Sequence, residues 1–280
     1  MKPVYKKGQA LVEEIRNTSV PKGAVAIWHL GQSGILIKGE DASLVIDPYL
    51  TFSIEERDPD NEFKRDFVPP LDPEDLAGVG GVLITHFHDD HLDTATLEPL
   101  AAVSEETLFA IPASHLSLSR KIDSEKVIGV RDDQSFSLAG FQVTPVTVAH
   151  TEYETDDDGN SFYFGYLIEG NGVKLFHSGD TIVDQKIVDE VKRFAPDIVF
   201  MPINGGDYAR TSRGIIGNMN YRDAADFGVS VGADMIMPVH YDLFPNNREN
   251  PAYFVDYLFH SYPDQKFHMM VPGERFIYFS

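Results

Sequence analysis

At 280 residues, with hydrophobic side chains at 42% and charged ones at 24%, the chain can bury one sizeable core and has the make-up of a folded globular protein, which excludes a disordered or fibrous reading. A formal net charge of -21 at pH 7 repels nucleic-acid phosphates and anionic lipid surfaces, so the expected partner is a small molecule, not nucleic acid and not a membrane. No cysteine is present, so no disulfide staples the fold, and any metal is held through nitrogen and oxygen.

From the amino end, residues 1–16 contain no apolar run long enough for a signal peptide, and nothing further on approaches a membrane span, so a cytoplasmic address is expected. Helical periodicity at 8–16 is followed by short apolar, β-branched runs at 24–30, 35–38 and 44–46 that read as strands. Residues 51–70, rich in charge and proline, have the length of a lid or binding loop. A strand at 82–85, a helix at 93–101, a strand at 108–111 and a helix at 114–121 come next. Strands at 143–149, 162–168, 173–177 and 197–202 surround a second long loop, the acidic segment 151–160, and a helix at 184–194. The chain ends with helices at 222–231 and 251–260 around a strand at 235–240, and a last strand at 276–279. Hairpins thus mix with strand–helix–strand units. Two mixed sheets packed face to face with helices outside satisfy that order, because each sheet buries one face on its twin and the other beneath helices. A single α/β domain over residues 1–280, a four-layer αββα sandwich, is expected.

The segment Ile84-Thr85-His86-Phe87-His88-Asp89-Asp90-His91 carries H-x-H-x-D-H directly after a strand. At 3.6 residues per turn its ligand-type residues scatter around a helix, so they belong on a loop. Such a loop can curl around ions, His86 and His88 reaching one metal while Asp90 and His91 reach another about 3.5–4 Å away. Any one histidine is more often a core or surface residue than a ligand. Three within six residues, with an aspartate, are costly to desolvate unless a cation sits among them. Two metals need more donors than one loop supplies. Three candidates stand at the ends of apolar runs: His150, Asp180 and His240.

In order and type, H-x-H-x-D-H, His150, Asp180 and His240 resemble the metallo-β-lactamase superfamily across nearly the whole chain. The resemblance implies a metal-dependent hydrolase with a dinuclear centre. His86, His88 and His150 would hold the first metal, Asp90, His91 and His240 the second, and Asp180 would bridge both. Asp47, in Ile46-Asp47-Pro48-Tyr49, matches the family's early strand-end aspartate, which supports the metal loop without binding metal. His177 lies close enough to Asp180 in sequence for a supporting role, and His29 is a weaker candidate. Within the superfamily, Trp28-His29-Leu30-Gly31-Gln32-Ser33-Gly34, Asp47-Pro48-Tyr49-Leu50-Thr51, Asn204-Gly205-Gly206, Ser212-Arg213-Gly214 and Asn218-Met219-Asn220 resemble the branch of L-ascorbate-6-phosphate lactonase. The chain departs from that lactonase in being shorter and in carrying a histidine at 150.

The chemistry so implied is attack by hydroxide, from a water shared by two divalent cations whose pKa falls to about 7, with Asp90 orienting the water and passing its proton to the leaving group. Zinc, manganese and iron all suit imidazole and carboxylate donors, and the lactonase-like segments favour manganese. A small anionic or phosphorylated ester or lactone is the expected substrate. Arg213, with its planar fork, is the candidate to grip it; the alternative is a surface arginine answering some of the 44 acidic side chains. Asn204, Tyr208, Asn218 and Arg222 are weaker candidates. A phosphodiesterase on the same metals is the rival reaction. The rival of another class is a binding protein that keeps the fold without catalysis, against which the full set of seven ligands speaks. A flavin-linked di-iron oxidoreductase would want a carboxylate in place of His88 and a flavodoxin-like partner domain, and neither is present. His115, His260, His268 and Trp28 are assigned to structure, and a homo-oligomer is compatible with the sequence.

Overall fold

The computed structural model describes residues 1–280. Helix α1 (Gln9–Asn17) leads into strands β1 (Ala24–Gly31), β2 (Gly34–Lys38) and β3 (Ser43–Ile46). A short α2 (Ser53–Arg57), β4 (Gly81–Leu83), α3 (Thr94–Val103), β5 (Leu108–Pro112) and β6 (Val127–Val130) complete the first half. The second half runs through β7 (Phe136–Leu138), β8 (Phe141–Thr147), β9 (Phe164–Gly170), β10 (Val173–His177), α4 (Gln185–Phe194) and β11 (Ile198–Pro202). It continues with α5 (Tyr208–Thr211), α6 (Tyr221–Val231), β12 (Met235–Val239), α7 (Pro251–Ser261) and β13 (Lys266–Phe267), and β14 (Arg275–Phe279) returns to the first sheet. The two seven-stranded sheets have the orders β14-β1-β2-β3-β4-β5-β6 and β13-β12-β11-β10-β9-β8-β7.

Side chains alternate between the faces of a strand, and here both faces are dry. Val25, Ile27, Ile35, Ile37 and Ile46 point into the space between the sheets, where they join Val143, Phe164 and Leu175 of the other sheet. Ala26, Trp28, Leu36 and Val45 point outward into a second core with residues of α1 and α3. On the far side Phe176, Val199 and Ile236 pack with α4, α6 and α7. Burial of both faces is why these strands read as unbroken apolar runs, and it makes the architecture the expected αββα sandwich. Trp28 is fully buried and its indole N–H donates to Glu14 Oε1 at 3.2 Å, tying α1 to the sheet; truncation to alanine would cost about 3–5 kcal/mol.

Strand direction decides where the loops gather. β1 and β3 are both antiparallel to β2, and β3 runs parallel to β4, so the carboxyl ends of β1, β3 and β4 share one edge. β8 and β10 are both antiparallel to β9, and β10, β11 and β12 are parallel, so their carboxyl ends share an edge of the second sheet. The two edges meet: His240 N donates to Gln32 O and Phe164 N to Thr85 O, each at 2.9 Å. Sites in open α/β sheets form at such carboxyl ends.

Two details differ from the sequence reading. Residues 114–121 do not form an α-helix; Ala113–Ser119 is a 3-10 segment interrupted at His115. There Ser114 Oγ bonds to Ser161 O and Ser119 Oγ to Leu116 O, and such hydroxyls compete with helical backbone bonding. Strands β6, β7 and β13 lie at or near sheet edges and are two to four residues long, too short for periodicity to mark them. No helix is long and apolar enough to cross a membrane.

Candidate metal centre

The cage is built outward from Asp47. This residue directly follows β3, in the left-handed region at φ 44, a conformation that aspartate adopts more readily than most residues. Its Oδ1 accepts from Thr85 N at 2.8 Å, and its Oδ2 accepts from Thr85 Oγ1 at 2.6 Å and from His91 Nδ1 at 2.7 Å. With its own hydrogen spent on Asp47, Thr85 Oγ1 accepts from His86 Nδ1 at 2.9 Å. These bonds hold a proton on Nδ1 of His86 and of His91, so that Nε2 is the atom each ring turns inward.

Around that pair the other strand ends deliver their residues. His86 Nε2 lies 3.0 Å from His88 Nδ1, and ligand atoms of His86, His88 and His150 fall within 4.8 Å of one another. Those of Asp90, His91 and His240 form a second such group, and Asp180 forms a third with His86 and His91, between the two. Asp180 Oδ1 is 3.4 Å from His91 Nε2, and its Oδ2 is 3.1 Å from His240 Nε2 and 3.8 Å from His150 Nε2. The seven residues named from the sequence therefore converge on one rim. His91 Nε2 and Asp180 Oδ1 are buried and have no hydrogen-bond partner, as is also true of Ser33 Oγ and the Tyr49 hydroxyl outside the cage. The donor set of imidazole and carboxylate thus fits divalent zinc, manganese or iron.

Electrostatics divide the cage. Burial pushes His86, His88 and His150 down, His88 to about 4, so this trio is neutral and ready to donate lone pairs at neutral pH. Burial also opposes charge on His240 and His91, but the Asp180 and Asp90 carboxylates outweigh it, lifting His240 to about 9 and His91 well above its ordinary value. Burial likewise favours the neutral acids, yet His91 and His240 hold both Asp90 and Asp180 below the usual carboxylate range. Without a cation, protons occupy the second trio.

Gln32, His29 and Asp242 complete the support. Gln32 turns at φ 56 between β1 and β2, its side chain buried, with Nε2 donating to Asp90 Oδ2 at 2.8 Å and lying 3.0 Å from His240 Nε2. Asp242 accepts from Gln32 N at 3.1 Å and bonds His29 Nε2 at 3.0 Å. The sequence segment 28–34 marks this turn, but nothing in it gives Gln32 a role. His177 does not touch the Asp180 carboxylate: its Nε2 donates to Ser33 O at 3.0 Å and its Nδ1 accepts from Gly179 N at 3.2 Å, which shapes the turn to Asp180. Gly179 is required there, since at φ 59 an added Cβ would sit 2.7 Å from Phe164 O.

An open cleft of about 590 Å³ leads to the cage. The 51–70 loop forms part of its wall through Ile54, Arg57 and Phe63 and is pinned by Arg65, which is buried and donates to Tyr49 O and Thr51 O at 3.1 Å each. The 151–160 loop contributes nothing to the wall. Of the candidate substrate residues, none lines the cleft. Arg213 pairs with Glu62 on the surface, Tyr208 is 89% exposed, and Asn204 and Asn218 are buried, bonded to each other at 3.2 Å. Arg222 stacks over Tyr221.

Comparison with known proteins agrees with this geometry. Residues 43–241 match the Beta-lactamase superfamily domain. A UPF0173 metal-dependent hydrolase of Methanoculleus marisnigri is 30% identical over 200 residues, spanning 66% of this chain and 75% of the relative. The Escherichia coli O127:H6 protein named "Probable L-ascorbate-6-phosphate lactonase UlaG" is 24% identical across 87% of this chain and 77% of its own. The structure of Igni18, a metallo hydrolase of Ignicoccus hospitalis, has a TM-score of 0.65 at 22% identity, covering 91% of this chain and 98% of that one. The chain belongs to the β-lactamase superfamily, and it is a metal-dependent hydrolase of the metallo-β-lactamase fold.

Proposed function

We propose that the cleft hydrolyses a carboxylic ester or lactone with two divalent cations, manganese, zinc or iron. His86, His88 and His150 would hold one and Asp90, His91 and His240 the other, with Asp180, grouped with His86 and His91, available to both. Cations bound there supply Lewis acidity and lower the pKa of water toward 7. The gathering of seven buried or half-buried ligands carries this conclusion: two trios have ligand atoms within 4.8 Å of one another, with Asp180 3.4 Å from His91 and 3.1 Å from His240, and so dense a set of imidazoles and carboxylates is costly to desolvate unless cations join it.

The chain's own groups then manage protons and position. Asp90 is partly exposed and lines the cleft. Its carboxylate takes the proton that the attacking water loses and returns it to the leaving oxygen as the new C–O bond forms and the acyl C–O bond breaks. Gln32 Nε2 holds that carboxylate from behind, and Asp47 with Thr85 orients His86 and His91 with Nε2 inward.

Assays on p-nitrophenyl acetate and a γ-lactone, after loading with manganese or zinc, test this. Hydrolysis should vanish with EDTA and in His88→Ala. A folded wild type that binds no metal and cleaves neither compound would return the protein to the class of binding modules. Turnover of bis-p-nitrophenyl phosphate alone would select phosphodiester chemistry.

A further inference from the structure

Resting on the hydrolytic reading of the cage, we infer that the substrate is uncharged away from its scissile bond and carries an apolar chain, so that sugar phosphates are rejected. The cleft's volume of about 590 Å³ suits a small ligand. Beyond the cage its lining combines an apolar wall of Ile54, Phe63, Phe87, Leu118, Ile215 and Phe244 with the polar Arg57, Asp58, Asn61, Asp89 and Asn247. Phe87 stacks on His115 with centroids 4.5 Å apart and planes 10° off parallel, and Phe63 meets Phe244 edge-on at 5.4 Å. The aromatic walls are therefore fixed before any ligand arrives. At the mouth Leu118 and Ile216 stay 43% and 41% exposed while both line the cleft, so they offer apolar surface that a ligand can cover.

Charge points the same way. Arg57 is the one lysine or arginine lining the cleft, and its guanidinium already gives two N–H donors to the Asp89 carboxylate. Asp58 and Asp89 add negative charge to the same rim. Arg213 is paired with Glu62 and Arg210 with Asp207, and neither lines the cleft. A phosphate remote from the reacting carbonyl would enter the field of a chain with a net charge of -21 and meet no free cationic fork, leaving its desolvation uncompensated. Each methylene buried against the walls instead raises affinity about fourfold.

Acetohydroxamic and octanohydroxamic acids share a metal-binding head and differ only in their chains. Calorimetric titration of each into manganese- or zinc-loaded wild type reads the walls without requiring turnover. Octanohydroxamic acid should bind at least about tenfold more tightly, and excess glucose 6-phosphate should not displace it. Leu118→Asp and Ile216→Asp change side chains that are 43% and 41% exposed, and each should shrink the ratio of the two affinities at least about threefold. Equal affinities, including no measurable binding of either acid, or displacement by glucose 6-phosphate, would overturn the inference. If the chain-length preference holds while no ester or lactone is cleaved, the hydrolytic reading fails and the apolar subsite stands.

Discussion

Asp47 binds no metal in this account, yet the second trio should depend on it. The Asp47→Asn change keeps the shape and removes one acceptor. Thr85 N must still be satisfied at 2.8 Å, so the new amide oxygen takes the Oδ1 position and the NH2 group takes that of Oδ2. There it faces His91 Nδ1, at 2.7 Å in the wild type, and a donor at that place drives the ring to the tautomer with its proton on Nε2. That proton points into the cage where a cation would sit. Loss of such supporting partners lowers metal affinity about 10–100-fold, and the loss should be larger for the cation held by His91, which bonds Asp47 directly, than for the other, which Asp47 reaches only through Thr85 and His86. Asp47→Ala goes further, stranding buried donors on Thr85 and His91. Breaking a buried charged set of this kind costs about 3–5 kcal/mol. Stepwise dissociation constants from competition with a chromophoric chelator, and urea unfolding with EDTA present, measure the two effects separately. An asparagine variant that binds both cations with wild-type affinity would refute tautomer control by Asp47.

Three further outcomes follow from the same geometry. Burial opposes charge on His240, but Asp180 and Asp90 raise it from 6.5 to about 9. A raised folded-state pKa contributes stability that is fully present below 6.5 and lost as pH climbs through 9. With chelator present the melting temperature should therefore fall between pH 6.5 and 9.5, by the equivalent of at most about 3 kcal/mol, while metal affinity rises over the same interval; a flat melting profile would contradict the proton-filled second trio. Gln32→Leu keeps the side chain's size but loses the amide bond to Asp90, so kcat on p-nitrophenyl acetate should drop about tenfold with KM nearly constant, which steady-state kinetics would show. Arg213→Ala removes an exposed pair with Glu62 worth about 0–1 kcal/mol; kinetics on the same substrate should stay at wild-type values, and a tenfold rise in KM would restore Arg213 to the binding site.

The metal loop is legible in the sequence because H-x-H-x-D-H is contiguous and cannot lie on one helical face. His150, Asp180 and His240 are legible because each is the first strong ligand after an apolar run, and β8, β10 and β12 do point the same way. Gln32 is not legible as a cage residue. Its contact with His240 spans 208 residues of chain and depends on the two sheets packing edge to edge. The pairing of Arg213 is hidden for a related reason, since its carboxylate partner, Glu62, is 151 residues away on the 51–70 loop. The apolar wall of the cleft is equally hidden, because it is assembled from side chains scattered from Ile54 to Phe244 that carry no motif.

Anomalous diffraction from crystals soaked in zinc at pH 7.5 locates cations without reference to turnover. Two peaks per chain are expected, one contacted by His86, His88 and His150, the other by Asp90, His91 and His240, with an Asp180 oxygen at each. A saturated crystal showing one peak or none within the cage would contradict the dinuclear centre.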